Sequence, residues 1–204
     1  LLVGDQGNRR VLIWTSAITA NQQAANWVVG QANMTSSASA TTQSGMADPA
    51  GISTGPAGRL YVADSGNHRV LVFDVTTVDS GQPAINVLGQ PDFDSTTNGT
   101  TQSRLYSPYG LSRETDGGRL FVADYINDRA LAFDVTAIVN GQNAVSVLGQ
   151  ANFTTGSSGA LSATALLAPT ELLHIANGNR LLVADTGNNR ILGYDVAVIT
   201  NGQD

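Results

Sequence analysis

The 204-residue sequence contains no cysteine. Disulfides and thiolate metal sites are therefore excluded, although this does not fix the compartment. It also contains no lysine, so all ten of its basic residues are arginine. Charged residues make up 13% of the chain, against the usual ~25%. The net charge is −6 and no basic run occurs. Nucleic-acid binding needs clustered cations that displace counterions from phosphates, so no nucleic-acid partner is expected. No apolar stretch reaches the ~18 residues a membrane helix requires, and membrane insertion is not expected.

What is present is repetition. "LLVGDQGNRRVLIW" opens the chain and "LLVADTGNNRILGY" returns from Leu181. Two further copies lie between them, "RLYVADSGNHRVLVFDV" from Arg59 and "RLFVADYINDRALAFDV" from Arg119. The anchoring aspartates are Asp5, Asp64, Asp124 and Asp185, in steps of 59, 60 and 61 residues. So regular a period marks a repeated structural unit. With 42% hydrophobic residues the chain has enough apolar side chain for a packed core.

The unit from Pro49 to Pro108 reads as strands. "PAGIS" starts at a turn and leads into a short apolar segment, strand A. "RLYVAD" and "RVLVFD" alternate and are rich in β-formers, giving strands B and C of a hairpin. The tip "DSGNHR" holds turn residues, with positive φ expected at Gly66 or Asn67. A polar crossing follows, with a short helical turn expected around Thr76–Asp79. "INVLG" is strand D. The excess length sits in the D-to-A loops, Gln31–Pro49, Gln90–Pro108 and Gln150–Pro169. Four antiparallel strands repeated radially make a β-propeller blade. A β-solenoid has shorter coils and does not need a recurring hairpin with Asp and Arg at fixed offset.

The hairpin phrase resembles NHL repeats. "RLYVADSGNHRVLVFD" carries the pattern nearly complete, including the Asn67–His68 pair, and all four copies share it across essentially the whole chain. The resemblance implies an all-β fold, a β-propeller segment of four-stranded antiparallel NHL-type blades with long repeats of about 60 residues. Read so, residues 1–204 are a single segment: a partial blade over 1–45, blades over 46–104 and 105–165, and a partial blade over 166–204. Propellers of this family include enzymes, sensor domains and binding modules, so function must be argued from sites.

Asp and Arg recur five residues apart, as Asp5/Arg10, Asp64/Arg69, Asp124/Arg129 and Asp185/Arg190. A feature of every blade is expected to build the blade, and Arg69→Ala is expected to cost ~1–3 kcal/mol through an unpaired buried partner. The "GQ" pairs Gly30-Gln31, Gly89-Gln90 and Gly149-Gln150 are read as structural too. No catalytic residue, metal ligand or cofactor is expected. Only Glu171, standing where other copies have Gly51 and Gly110, and His174 bring chemistry to inner strands, with Glu171 expected to point near the propeller axis. They carry the alternative reading, a propeller lyase or hydrolase with a metal in the central channel. The sequons at Asn33, Asn98 and Asn152 all lie in D-to-A loops.

B–C tips and D-to-A loops are expected on one face. That face carries the candidate binding residues Asn67, His68, Tyr106, Tyr109, Tyr125, Asp128, Asn188 and Asn189. Phe93 and Phe153, at matching positions, are expected to tuck their loops onto the blade. The expected function is a non-enzymatic binding or structural module that recognises a protein or glycan through this face, or self-assembles. An extracellular or cell-surface setting is expected from the acidic charge, long polar loops and absent lysine. The strand order reads B-C-D, A-B-C-D, A-B-C-D, A-B-C. Both ends bring B and C, so one blade cannot be completed from the two. The arc is therefore expected to be completed by missing repeats of a longer chain or by further copies of this one.

Overall fold

The computed structural model describes residues 1–115, 118–156 and 161–202. Fourteen strands form four antiparallel sheets among them. The first sheet is β1 (Leu2–Asp5), β2 (Arg10–Ile13) and β3 (Trp27–Val29). The second is β4 (Pro49–Thr54), β5 (Arg59–Asp64), β6 (Arg69–Asp74) and β7 (Asn86–Leu88), in that order. The third repeats it with β8 (Pro108–Arg113), β9 (Arg119–Asp124), β10 (Arg129–Asp134) and β11 (Ser146–Leu148). The fourth is β12 (Pro169–Ile175), β13 (Arg180–Asp185) and β14 (Arg190–Asp195). These are β-propeller blades, in the order B-C-D, A-B-C-D, A-B-C-D, A-B-C.

The cores lie between sheets. Alternation along β5 sends Leu60 and Val62 towards the first blade, where they meet Val11, Ile13, Val29 and Met46. Tyr61 and Ala63 point the other way, to Leu111, Leu120 and Val122 of the third blade. The third and fourth blades meet through Phe121, Ala123, Leu172, Leu181 and Val183. The two middle blades are thus buried on both faces, and their B and C strands read as nearly unbroken apolar runs. In the fourth blade, β13 alternates between buried and more open positions.

The innermost strands pack closely. A Cβ on Gly51 would collide with the Tyr109 carbonyl oxygen, and one on Gly110 with that of Thr170. Glycine at these two points allows β4, β8 and β12 to lie side by side. β12 is the last inner strand among the described residues, and at the same position it carries Glu171, whose carboxylate lies over Gly110. Glu171 is exposed, and among the described residues no further inner strand packs beyond it.

Two local expectations are corrected. Each B–C tip is one short 3₁₀ turn followed by a left-handed residue, which is Arg9, His68, Asp128 or Asn189 with φ of 56°, 56°, 52° and 53°. The left-handed residue stands just before the arginine, so neither Gly66 nor Asn67 takes positive φ. Asn, Asp and His tolerate this conformation better than most side chains. No helical turn forms at Thr76–Asp79. Asp74 Oδ1 captures the Thr76 N–H at 3.0 Å and its hydroxyl at 2.6 Å, a side-chain turn that competes with helix.

Candidate functional site

The face formed by the B–C tips and D-to-A loops is built on the Asp–Arg pairs. Asp64 Oδ1 accepts the Ala47 N–H of the preceding loop at 2.8 Å. Its Oδ2 accepts from Asn67 Nδ2 and Arg69 Nε, both at 2.8 Å. Arg69 then donates to the carbonyls of Thr42 and Gly45 in the loop before its blade, each at 2.9 Å. It also donates to the Phe93 carbonyl in the loop after its blade. One guanidinium therefore ties together two loops and a hairpin. Asp124 and Arg129 repeat this with Thr101 and Arg104 on one side and Phe153 on the other. Both middle pairs are fully buried.

The glutamines complete the loop anchoring. Gln31, Gln90 and Gln150 donate to the carbonyls of Arg9, His68 and Asp128, the left-handed tip residues. The preceding Gly30, Gly89 and Gly149 have φ between 82° and 86°. Phe93 and Phe153 pack half-buried against the inter-blade cores. Asn33 and Asn152 use Oδ1 to accept the backbone N–H groups of Thr35 and Thr154. Asp92 plays that part towards Asp94. The paired sequons at Asn33 and Asn152 are thus accounted for by turn chemistry.

The candidate binding residues divide into two sets. Asn67 is buried, held by Thr41 Oγ1, the Ala40 carbonyl and Asp64, so its amide is turned away from solvent. Asp128 is buried as well, and its Oδ1 accepts the Ala168 N–H at 2.8 Å. Burial, with the Asp185 carboxylate nearby, pushes the Asp128 carboxyl up from its ordinary value. Asn188 is half-buried against Asp185 at 2.9 Å, and Asn189 is exposed.

His68, Tyr106, Tyr109 and Tyr125 come together. His68 meets Tyr106 edge to face at 5.1 Å, and Tyr109 and Tyr125 lie tilted at 5.8 Å. The two pairs are joined through the backbone, because Ile126 donates its N–H to the Tyr106 carbonyl at 3.2 Å. All four rings are half-buried. Ile126 is 42% exposed beside them and was not singled out from the sequence. The signal for it is its place in the repeat, where an isoleucine replaces Gly66. His68 Nδ1 accepts the Ser107 N–H at 3.2 Å, and burial holds its pKa below the ordinary histidine value.

Glu171 and His174 do not converge. They lie three residues apart on β12, so pleating sends them to opposite faces, one exposed and one buried. His174 contacts Asn179 Oδ1 through Nε2 at 2.7 Å, accepts the Thr115 N–H and stacks on Phe121. Although Glu171 is exposed, partial desolvation by its neighbours raises its carboxyl above the ordinary value. Among the described residues, no group of three or more His, Asp or Glu side chains is placed to hold a metal ion. No helix among them is long and apolar enough to cross a membrane.

The fold and this face define a protein built from β-propeller blades. Within it, residues 46–73 match the family model of the NHL repeat, covering the second blade's A strand and B–C hairpin. No curated protein matches the sequence. Solved structures with a similar arrangement include hydrazine synthase of Kuenenia stuttgartiensis, at 14% identity and a TM-score of 0.43 over 78% of this chain and 38% of that one. A Bacteroides thetaiotaomicron protein described as a phosphatase aligns at 15% identity and a TM-score of 0.48, over 70% of this chain and 34% of that one. An auxiliary nutrient binding protein of the same species aligns at 15% and 0.37, over 72% and 47%. The chain spans less than half the length of each of these solved chains.

Proposed function

We propose that this propeller module is a non-enzymatic binder that takes a protein or glycan partner on the face of its B–C tips and D-to-A loops. The observation that carries the reading is the joined set of His68, Tyr106, Tyr109 and Tyr125 with exposed Ile126. Aromatic side chains combine large contact area with a polar tip and are preferred anchors of interfaces. The loops that carry them are pinned by fully buried ion pairs. A rigid aromatic patch loses little conformational entropy on binding.

The test compares the wild-type chain with a Tyr106→Ala, Tyr125→Ala double variant on a glycan array and against extracellular protein fractions. The expected result is a partner retained by wild type and weakened at least tenfold by the double variant, with both proteins melting cooperatively. Equal retention by the two proteins would overturn the reading.

A further inference from the structure

On the opposite face, between the second and third blades, a cavity of about 400 Å³ is lined by Pro56, Arg59, Tyr61, Arg113, Val135 and Thr136 among others. Its volume falls within the ~300–1,000 Å³ usual for small-molecule sites. Arg59 Nη1 is buried and has no hydrogen-bond partner. Arg59 makes no ion pair among the described residues. Asp74 stands opposite it across the sheet, but the carboxylate is engaged by Thr76. Arg59 is half-buried and the Asp74 carboxylate acts on it at longer range, yet a buried guanidinium N–H without an acceptor is costly unless something pairs with it.

The next inter-blade position shows what that partner looks like. Arg119 is the counterpart of Arg59, and Glu114 the counterpart of Gly55: each pair closes the A–B turn with the same backbone hydrogen bond, Gly55 N to Arg59 O and Glu114 N to Arg119 O. Arg119 forks onto Glu114, donating from Nε to Oε2 at 2.9 Å and from Nη2 to Oε1, and it also donates to the Val196 carbonyl at 2.6 Å. Phe121 fills the Tyr61 position and stacks on His174, which fills that of Arg113. The third blade therefore supplies its own carboxylate. The second blade has glycine in its place, a second arginine across the gap, and a tyrosine in place of Phe121.

We propose that this cavity binds a small carboxylate-bearing anion, whose carboxylate takes on Arg59 the place that Glu114 takes on Arg119. The guanidinium fork matches a carboxylate in a bidentate way. Arg113 lines the same cavity and Tyr61 offers a phenol. Burial raises the pKa of that phenol, and the two arginines partly offset the rise.

Succinate is the probe, titrated at constant ionic strength against sodium chloride, with sodium sulfate as a parallel arm. Thermal unfolding and calorimetry are read. Wild type is expected to show saturable succinate binding, with the melting temperature raised by about 3 °C at ten times Kd. Arg59→Gln is expected to lose at least tenfold in affinity. The Gly55→Glu, Tyr61→Phe double variant copies the third blade. It is expected to lose the succinate response. Absence of a saturable rise beyond the chloride control, an undiminished response in Arg59→Gln, or a response to sulfate but not succinate would each overturn the assignment.

Discussion

The middle and terminal blades carry the same Asp–Arg pair and use it differently. Arg69 and Arg129 each hold a loop on both sides of their blade, and both pairs are 0% exposed. Arg10 reaches only the loop after it, through Met34, and its pair is exposed at 16% for Arg10 and 24% for Asp5. Among the described residues Arg190 reaches the loop before it and none after, through Ser162 and Ala165, with 25% exposure for Arg190 and 0% for Asp185. The motif is therefore a staple between neighbours. Its burial comes from having a blade on either side.

That difference sets the largest expected effect. Arg69→Ala or Arg129→Ala leaves a buried carboxylate uncompensated, which costs ~3–5 kcal/mol. This exceeds the range expected from the sequence because the pair is sealed from water and three loop carbonyls lose their donor as well. Arg190→Ala still strands a buried Asp185 and is expected to cost ~1–3 kcal/mol. Arg10→Ala breaks a partly exposed pair and is expected to cost ~1 kcal/mol or less. Urea denaturation of the four variants checks the ranking. Equal losses for Arg10 and Arg69 would remove the comparison.

The inner strands give a second contrast of the same kind. Gly110 lies against the backbone of β12, so Gly110→Ala forces two strands apart and is expected to cost ~1–3 kcal/mol. Glu171 occupies the same repeat position, is exposed and has no further inner strand against it among the described residues, so Glu171→Ala is expected to stay within ~0.5 kcal/mol. Denaturation midpoints of the two proteins decide this. A costly Glu171→Ala would show that the carboxylate supports β12.

These contrasts mark how far the sequence could be read. Four copies of one alternating phrase fixed strand order and blade type, because period-2 patterning and a constant step survive without any knowledge of contacts. Local turn chemistry was less legible. Glycine drew the expectation of positive φ to Gly66, while the 3₁₀ turn moves that demand to His68. The role of Glu171 was hidden for another reason. Its glycine counterparts answer to the next blade, and contact with a neighbour is not written in the residue itself. The Arg59–Arg113 cavity was hidden in the same way, since its residues come from two blades. Its signal, Gly55 against Glu114, emerges only when the A–B turns are laid over one another.

A further small effect separates the second and third blades by pH. Both use the left-handed tip residue to accept a backbone N–H of the next blade, His68 from Ser107 and Asp128 from Ala168. The folded pKa of His68 lies below the ordinary value of ~6.5 because burial disfavours its charged form. Its contribution is therefore complete above ~6.5 and is lost as pH falls through that value towards the folded pKa. Protonation also removes the acceptor that Ser107 uses. Asp128 has the opposite sign. Its folded pKa is raised, so its cost is present at neutral pH and relieved as pH falls through the folded value. His68 is half-buried, and solvent screening keeps its part below ~1 kcal/mol. His68→Asn keeps a residue that tolerates positive φ and has no proton to gain. Urea midpoints at pH 7.5, 6.5 and 5.5 should fall more steeply for wild type than for His68→Asn, whereas Asp128→Asn should fall at least as steeply as wild type. Parallel pH profiles for wild type and His68→Asn would mean that His68 is not an acid-sensitive joint between the two blades.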